Sequence, residues 1–551
     1  MLKYLSTPYR AISNRQLSNP WIGWAFFVAL LIALPLIIVF SNIFMDGGTT
    51  WQHILKNLLP GYAINTLILM AGVALLTFII GVSTAWFTST YHFPGSRFFT
   101  WALILPIALP AYISGFTWAG ILDYASPVYV FFRNYLGVDM GQFLFFNILS
   151  IPGAIIILSL SLYPYVYLIT RAWFSRQSSN LFEVAASLGK KPGAIFFGVA
   201  LPMARPAIVA GISLALMEVL NDYGLARHFG VDTFTTGIFT AWFSFSHPQS
   251  GLKLSAYLMI FVLALILMER FQRRQMRYDM VGNHYRPLEK KKLKGFMAAM
   301  AFTASVIPFL LGFLIPVIML VYWSIKTAPQ VVDYRFWELL GNSFMLAGLA
   351  SLIVLGVALF IAFTVRSFPS PFVRILSRIA TLGYALPGAV VAIGILVPFL
   401  WLDAYLLQWS GTGMRLALTG TWLALLYAYL VRFMAVGYNS VDSGMERISK
   451  SLDEASRSLG HSNMTTLFKI NIPLLSGAMV SAALLVFIDV LKELPLTLIL
   501  RPFNFDTLAI RAFEFASDER VAEAAPAALI IIITGMLPVL LLHKILGKDN
   551  K

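Results

Sequence analysis

Apolar stretches long enough to cross a membrane alternate along the chain with short polar loops. A helix needs about 20 apolar residues to span roughly 30 Å of hydrocarbon. Runs of this length recur in two groups of six, so the pattern predicts an all-α polytopic membrane protein with about 12 transmembrane helices. The predicted spans are 21–42, 62–87, 99–122, 145–172, 197–221, 251–270, 297–323, 342–364, 376–402, 413–437, 474–498 and 525–545.

The composition supports this interpretation and excludes several others. Apolar residues make up 59% of the chain and charged residues only 12%, whereas soluble proteins are about one-quarter charged. The mean hydropathy is +0.78. There is no cysteine, which excludes a disulfide framework and thiolate chemistry. The sequence also contains no H-E-x-x-H or G-x-S-x-G motif, so an intramembrane enzyme is disfavoured.

The basic residues predict an orientation in the membrane. The formal net charge is +15, but the lysines and arginines lie in short loops between apolar runs, so lipid headgroups and not nucleic acid are the expected contact. They cluster in alternate loops, which predicts that both termini and the basic linker 271–296 are cytoplasmic. The polar segment 1–20 is expected to be a cytoplasmic tail before a retained first helix. The clusters lie near Lys3–Arg15, Arg97, Arg171–Lys191, Arg270–Lys294, Arg366–Arg374, Arg432–Lys469 and Lys544–Lys551.

The two groups of six spans are an internal repeat. Short motifs recur at nearly constant offsets, which settle at 271 positions in the second part of each group. Because both copies have the same predicted orientation, the sequence predicts two parallel six-helix domains, 21–270 and 297–551, related by a pseudo-twofold axis along the membrane normal. The matching positions are Asn65 with Asn342, Phe93 with Phe368, Pro110 with Pro387, Glu183 with Glu454, Gly189 with Gly460, Pro202 with Pro473, and Thr236 with Thr507.

One polar segment is conspicuous in the repeat because it lies between two apolar spans. The copies read EVAASLGKKPGAIFFGVALP and EASRSLGHSNMTTLFKINIP. Small polar residues predict a short helix that another surface can approach closely. Gly189 and Gly460 are expected to adopt the left-handed conformation that ends a helix. Pro202 and Pro473 suit the first turn of the next helix. An ordinary helical hairpin explains one such loop, but two copies at equal spacing favour a functional element.

The two segments resemble the EAA loop of ABC-importer membrane subunits, whose consensus is E-A-A, three residues, Gly, and later I-x-L-P. Each copy departs from the E-A-A triplet at one position. The resemblance implies the type I importer fold, with coupling loops near 177–202 and 448–473 that dock on ATP-hydrolysing subunits. The residues implied at the docking sites are Glu183, Ala186, Gly189, Glu454 and Gly460.

The same resemblance implies the partners of the chain. No Walker A sequence, G-x-x-x-x-G-K-[ST], is present, so the chain is expected to be a transport subunit with no cofactor of its own. Two separate ATPase subunits, one for each loop, would bind ATP and Mg²⁺. A periplasmic binding protein would deliver the substrate to the outer face of the bacterial inner membrane.

Acidic residues occur where a membrane helix rarely keeps them. Because a carboxylate within a span is costly, it indicates a functional site. Hard carboxylate oxygens suit a hard cation, so the sequence predicts a transient Fe³⁺ site along the translocation path. The alternative is a structural pair in which Lys492 neutralises one of the carboxylates. The four predicted path residues are Glu218, Asp222, Asp489 and Glu493.

The stretches LNDYG and DVLKELPLTLILRPFNFDTLAIRAFEFASDE are similar to the fused permeases of ferric-iron importers. This resemblance implies that the substrate is ferric iron. The same machine could instead carry thiamine, a phosphonate or another small solute, because related permeases move these. A secondary transporter or channel without ATPase partners is a different class of protein that also has parallel repeats.

Overall fold

The computed structural model describes residues 19–124, 126–137, 147–175, 185, 187–245, 247–274, 290–410 and 418–548. Helices dominate these residues, and two-residue strands at Tyr91–His92 and Lys291–Lys292 are the only strands among them. The prediction of an all-α protein is therefore confirmed.

Ten helices in the described part of the chain are long and apolar enough to cross a membrane. An eleventh span results if the bent pair Ser96–Ala108 and Ala111–Ile121, which meet at 93°, is counted once. The bend falls in the predicted span 99–122. The predicted span 413–437 corresponds to helix Trp422–Arg447, which is not among the ten because tyrosines and Arg432 lower its hydropathy.

The residues divide into two compact units, and the smaller comprises Met1–Asn42 and Ser343–Phe505. Trp21 stacks on Phe360 with ring centroids 5.5 Å apart, and the Tyr427 hydroxyl donates a hydrogen bond to the Leu31 carbonyl. Helix Pro20–Ser41 thus packs on the second repeat. The helices of this unit are Pro20–Ser41, Tyr334–Ser367 (from Ser343), Pro371–Ala380, Leu382–Ala385 (3₁₀), Gly388–Ser410, Trp422–Arg447, Lys450–Ser458, Asn463–Thr466, Leu467–Asn471 (π), Ile472–Leu491 and Pro495–Leu500.

The larger unit comprises Ile43–Asn342 and Asp506–Lys551. The Trp118 indole donates to the Leu311 carbonyl at 3.2 Å, so the first helix of the second repeat packs on the first repeat. Its helices are Gly48–His53, Ile54–Leu58 (π), Leu59–Thr90, Ser96–Ala102, Leu105–Ala108 (3₁₀), Ala111–Ile121, Pro127–Leu136, Ile151–Ser175, Pro192–Ile195, Phe196–Ala200 (π), Leu201–Asn221, Gly224–His228, Phe234–Phe239, Thr240–Ser244 (π), Pro248–Arg274, Gly295–Phe309, Leu310–Leu314 (π), Ile315–Val331, Leu508–Ser517 and Val521–Lys548.

The compact units therefore do not follow the order of the chain. Helix Pro20–Ser41 belongs to the unit that holds most of the second repeat, while Gly295–Val331 and Asp506–Lys551 belong to the unit that holds the first. The boundaries 21–270 and 297–551 describe the duplicated sequence and stay a prediction. Each compact unit therefore combines helices from both repeats.

The duplication is visible in backbone irregularities that recur at the predicted offsets. A 3₁₀ turn at Leu105–Ala108 has its copy at Leu382–Ala385, and a π turn at Phe196–Ala200 has its copy at Leu467–Asn471. One predicted match shifts, because Thr507 caps helix Leu508–Ser517 whereas Thr233, and not Thr236, caps the corresponding helix.

The π turns explain how proline is tolerated after the polar segments. Proline lacks an N–H, and its ring clashes with the carbonyl four residues earlier in an α-helix. A π turn ends two residues before Pro202 and again two residues before Pro473, and the wider turn relieves that clash. The prediction that Pro202 and Pro473 lie in the first turn of the next helix is confirmed for helices Leu201–Asn221 and Ile472–Leu491. Each π turn joins that helix to a short helix before it, so the continuous spans begin earlier, at Pro192 and Asn463.

The end of the basic linker is attached to the first repeat. Strand Lys291–Lys292 pairs in parallel with Tyr91–His92, and the Lys290 ammonium donates to the Thr88 carbonyl at 2.6 Å. Burial and the nearby Arg171 lower the pKa of Lys290. Residues 275–289 of the predicted linker lie outside the described residues.

Candidate functional site

The second copy of the polar segment forms the short helix Lys450–Ser458, followed by a turn at Gly460. Ser449 caps the helix by accepting a hydrogen bond from the Ser451 N–H at 3.3 Å. Glu454 and Ala455 are exposed, whereas Asp453 and Ser456 are buried. The helix therefore has one face held by the protein and one face, with Glu454, open to a partner.

A buried ion pair holds the inner face of this helix. Arg366 Nε lies 2.5 Å from Asp453 Oδ2, and both side chains are only 7% exposed. On the other side of Asp453, Asn471 donates to Oδ1 at 3.3 Å. Ser456 and Thr466 share a hydrogen bond of 2.7 Å. These contacts fix the helix against the segments before and after it.

Arg366 also binds backbone carbonyls at the C-terminal end of helix Trp422–Arg447. The last carbonyls of a helix lack partners within it. The Arg366 guanidinium donates to the carbonyls of Met445 at 2.6 Å, Ile448 at 3.0 Å and Ser449 at 3.1 Å. One side chain therefore joins helix Trp422–Arg447 to helix Lys450–Ser458.

The glycine turns are alike in the two copies. Gly189 has φ +77° and Gly460 has φ +80°, which confirms the predicted left-handed conformation. In both copies the residue after the glycine donates to the carbonyl five positions earlier: Lys190 N–H bonds the Ala185 carbonyl at 3.2 Å, and His461 N–H bonds the Ser456 carbonyl at 3.1 Å. Such a closure satisfies carbonyls at the helix end. Glu183 and Ala186 lie outside the described residues.

Large apolar side chains are exposed at equivalent positions of both copies. Leu188 is 74% exposed and its counterpart Leu459 is 76% exposed, while Phe197 is 70% exposed and its counterpart Phe468 is 61% exposed. Exposed apolar groups beside polar ones mark surfaces that bind other proteins or lipid. The sequence analysis did not single out these four residues. The signal was present, because each apolar residue recurs in the other copy at the repeat offset of 271.

We expect Gly460→Ala to weaken the second segment. A left-handed φ costs a residue with a Cβ about 1–2 kcal/mol, so the turn after helix Lys450–Ser458 should loosen, transport should fall, and thermal unfolding should begin at lower temperature. Gly477→Ala is the matched control, because Gly477 lies inside helix Ile472–Leu491 with nothing within 4 Å of an added Cβ. Equal melting temperatures for Gly460→Ala and the unaltered chain would contradict the expectation.

In the first repeat, Asp222 is engaged by the backbone. Its Oδ1 accepts hydrogen bonds from the N–H groups of Leu225 at 3.1 Å and Ala226 at 3.0 Å. Asp222 thereby satisfies free donors at the start of helix Gly224–His228. Glu218 lies one turn earlier and is half-buried.

In the second repeat, both predicted carboxylates have cationic partners. Asp489 Oδ1 lies 2.8 Å from Lys492 Nζ. Glu493 is buried with its Oε2 3.3 Å from Arg432 Nε, an ion pair by distance whose Nε–H is not aligned for a hydrogen bond. Glu493 Oε1 also accepts from the Leu496 N–H at 3.2 Å. These contacts fit the alternative in which the carboxylates form structural ion pairs. Lys492 pairs with Asp489, and Arg432 pairs with Glu493.

The structural roles of Asp222 and Glu493 are equivalent. Each accepts an N–H from the residue three positions later, at the start of a short helix, which supports their pairing in the repeat. Among the described residues, no group of three or more His, Cys, Asp or Glu side chains could hold a metal ion. The prediction that the four carboxylates line a path for iron stays a prediction.

Arg432 and Gly388 are the residues that sequence reasoning missed around Glu493. A Cβ on Gly388 would lie 2.4 Å from Glu493 Oε1, so glycine makes room for the carboxylate. By the repeat offsets, the corresponding first-repeat residues are Ser161 and Ala111, and the counterpart of Glu493 is the shorter Asp222. An arginine within an apolar run was the available signal for Arg432.

Comparison with known proteins identifies the class to which this fold and these segments belong. The sequence model of the family described as "Binding-protein-dependent transport system inner membrane component" matches residues 78–277 and again residues 355–551. The chain belongs to this family and carries its domain twice, so it is the fused permease subunit of an ABC importer and a multi-pass inner membrane protein.

Individual relatives give a finer comparison. The chain is 28% identical to the Fe(3+)-transport system permease protein FbpB 2 of Haemophilus influenzae, over 95% of this chain and 98% of that protein. It is 24% identical to the ferric transport system permease protein FbpB of Actinobacillus pleuropneumoniae, over 90% of this chain and 71% of that protein. A putative 2-aminoethylphosphonate transport system permease protein, PhnV of Salmonella paratyphi A, is 28% identical over 38% of this chain and 74% of its own length.

Proposed function

We propose that this permease moves ferric iron from a periplasmic binding protein to the cytoplasm, driven by two ATPase subunits. The proposed contact with the ATPase subunits rests on the matched pair of polar segments. Each has a glycine-ended turn and exposes a leucine and a phenylalanine at equivalent positions. Two like surfaces suit two copies of one partner.

The second segment is built to transmit force. Helix Lys450–Ser458 is attached through Arg366 to the end of helix Trp422–Arg447 and through Ser456 to the start of the next membrane helix. A push on the exposed Glu454 face therefore reaches two long helices without an intervening flexible loop. We place both segments on the cytoplasmic side, because the basic residues cluster there.

Iron is the proposed substrate for two reasons. The relatives named for ferric transport match 95% and 90% of this chain, whereas the phosphonate relative matches 38%. Carboxylate oxygens suit a hard cation, and Glu218, Asp222, Asp489 and Glu493 are the proposed path residues. Since Lys492 and Arg432 share the charge of the last two, iron would bind them weakly, as a path that must release its ion requires.

Uptake of labelled iron tests the proposal. Cells that produce the chain with its ATPase and binding protein should accumulate labelled iron, and should not accumulate labelled thiamine or phosphonate. Glu183→Arg with Glu454→Arg should abolish both uptake and co-purification of the ATPase, because a charge of the wrong sign then lies at each docking surface.

The matched control is Glu338→Arg, an exposed glutamate outside the two segments, which should leave both readouts unchanged. Uptake of thiamine in place of iron would overturn the substrate. Retention of the ATPase by the double variant would overturn the docking surfaces.

A further inference from the structure

A cavity of about 850 Å³ lies in the smaller unit beside the second segment. It is bounded by the end of helix Tyr334–Ser367, by helix Pro371–Ala380 and by the last turns of helix Trp422–Arg447. This volume falls within the roughly 300–1,000 Å³ typical of small-ligand sites.

The walls of the cavity carry opposite charges. Arg374 and Arg378 lie one turn apart on helix Pro371–Ala380, and Asp442 and Glu446 lie one turn apart on helix Trp422–Arg447. No ion pair joins the two walls among the described residues. Two more cations line the cavity: Arg366, which is held by Asp453, and Lys450, at the start of helix Lys450–Ser458. The site therefore offers one cationic and one anionic pair that face a shared space.

Neither Asp442 nor Glu446 forms an ion pair among the described residues. Burial and the neighbouring Glu446 raise the pKa of Asp442. A ligand cation at this wall would stabilise the ionised form of Asp442 and relieve its repulsion with Glu446. Phosphate oxygens, in turn, are the groups that arginine side chains bind best.

The surroundings indicate that the cavity opens at headgroup depth. Trp21 contacts Phe360 and Phe363, the latter one turn before Arg366, and Trp and Tyr side chains concentrate where a membrane meets water. Helix Pro371–Ala380 is amphipathic, with Ile375 exposed on the same helix as the two arginines. Such a helix lies in the plane of the interface.

We propose that this cavity binds the headgroup of a phosphatidylethanolamine lipid. The phosphate lies against Arg374 and Arg378, and the primary ammonium donates to Asp442 and Glu446. Phosphatidylglycerol offers no cation to the carboxylates, and phosphatidylcholine offers no N–H donor. The two charged walls thus select a zwitterionic headgroup with a primary amine.

Native mass spectrometry of the full-length chain in detergent tests the proposal. The chain is titrated with phosphatidylethanolamine, phosphatidylglycerol and phosphatidylcholine that carry the same acyl chains. Phosphatidylethanolamine should bind about fivefold more tightly than the other two, the value of one partly exposed ion pair. Asp442→Asn with Glu446→Gln should remove this preference, and Arg374→Gln with Arg378→Gln should weaken all three lipids.

Arg97→Gln is the matched control, because Arg97 is the counterpart of Arg374 in the first repeat and is likewise exposed; it should leave the preference intact. Equal binding of the three lipids by the unaltered chain overturns the proposal without recourse to any variant. It is also overturned if the arginine variants lose the ATPase while their lipid binding is unchanged, since the cavity then serves a protein partner.

Discussion

Replacing Arg366 by alanine should abolish ATP-driven transport while the chain still reaches the membrane. The change leaves Asp453 buried without its cation, and removing one member of a buried pair costs about 3–5 kcal/mol. It also strips the carbonyls of Met445, Ile448 and Ser449 of their donor. Helix Lys450–Ser458 would then detach from helix Trp422–Arg447. Substrate uptake and ATPase stimulation by the binding protein, measured in proteoliposomes, check the result.

Two further variants sharpen this prediction. Arg447→Ala removes an exposed arginine near the same helix end and should leave transport unchanged. Arg366→Asp with Asp453→Arg should not restore transport, because an aspartate at position 366 cannot donate to three carbonyls. Full rescue by the charge swap would mean that the ion pair alone matters and that the carbonyl contacts are dispensable.

Glu493→Gln should lower the melting temperature of the chain strongly, whereas Asp489→Asn should hardly change it. Glu493 is buried beside Arg432, so its loss leaves an uncompensated buried charge at a cost of about 3–5 kcal/mol. The Asp489–Lys492 pair is partly exposed, at 21% and 30%, and pairs of this kind contribute about 1 kcal/mol or less. Thermal unfolding of the purified chain, followed by light scattering or dye binding, measures both.

The double variant Glu493→Gln with Arg432→Met separates structure from transport. It should regain much of the lost stability, because an apolar side chain of similar length needs no counter-ion. If Glu493 lines the path as well, iron uptake should stay low in this stable variant. A melting temperature unchanged by Glu493→Gln alone would show that the pair is not the structural element described here.

Several features of this protein were predictable from local sequence. The spans followed from hydropathy, because length and apolarity suffice to decide whether a helix can lie in lipid. The turns at Gly189 and Gly460 followed from chemistry, because glycine alone adopts a positive φ without steric cost. The equivalence of Asp222 and Glu493 followed from the repeat offset of 271, and both cap a short helix.

The ion pairs between charged residues could not be predicted from local sequence. Arg366 and Asp453 are 87 positions apart, and the sequence contains several other arginines and carboxylates that could have paired. Lys492 was the nearest cation to Glu493 along the chain, yet Arg432 pairs with it. Which charges meet depends on how helices pack, and no local pattern encodes that.

The sequence by itself determined that this chain is a duplicated, helical membrane permease with two polar segments, each with a short helix that ends at a glycine. Only the tertiary structure decided that helix Pro20–Ser41 packs in the unit with Ser343–Phe505, and that Gly295–Val331 packs with the first repeat. In lipid every apolar face is equally well solvated, so hydropathy cannot choose a helix's neighbours. Close backbone approach chooses them, as at Gly394, whose added Cβ would lie 2.7 Å from the Pro35 carbonyl oxygen, and at Gly312, where the Leu160 carbonyl oxygen would be equally near.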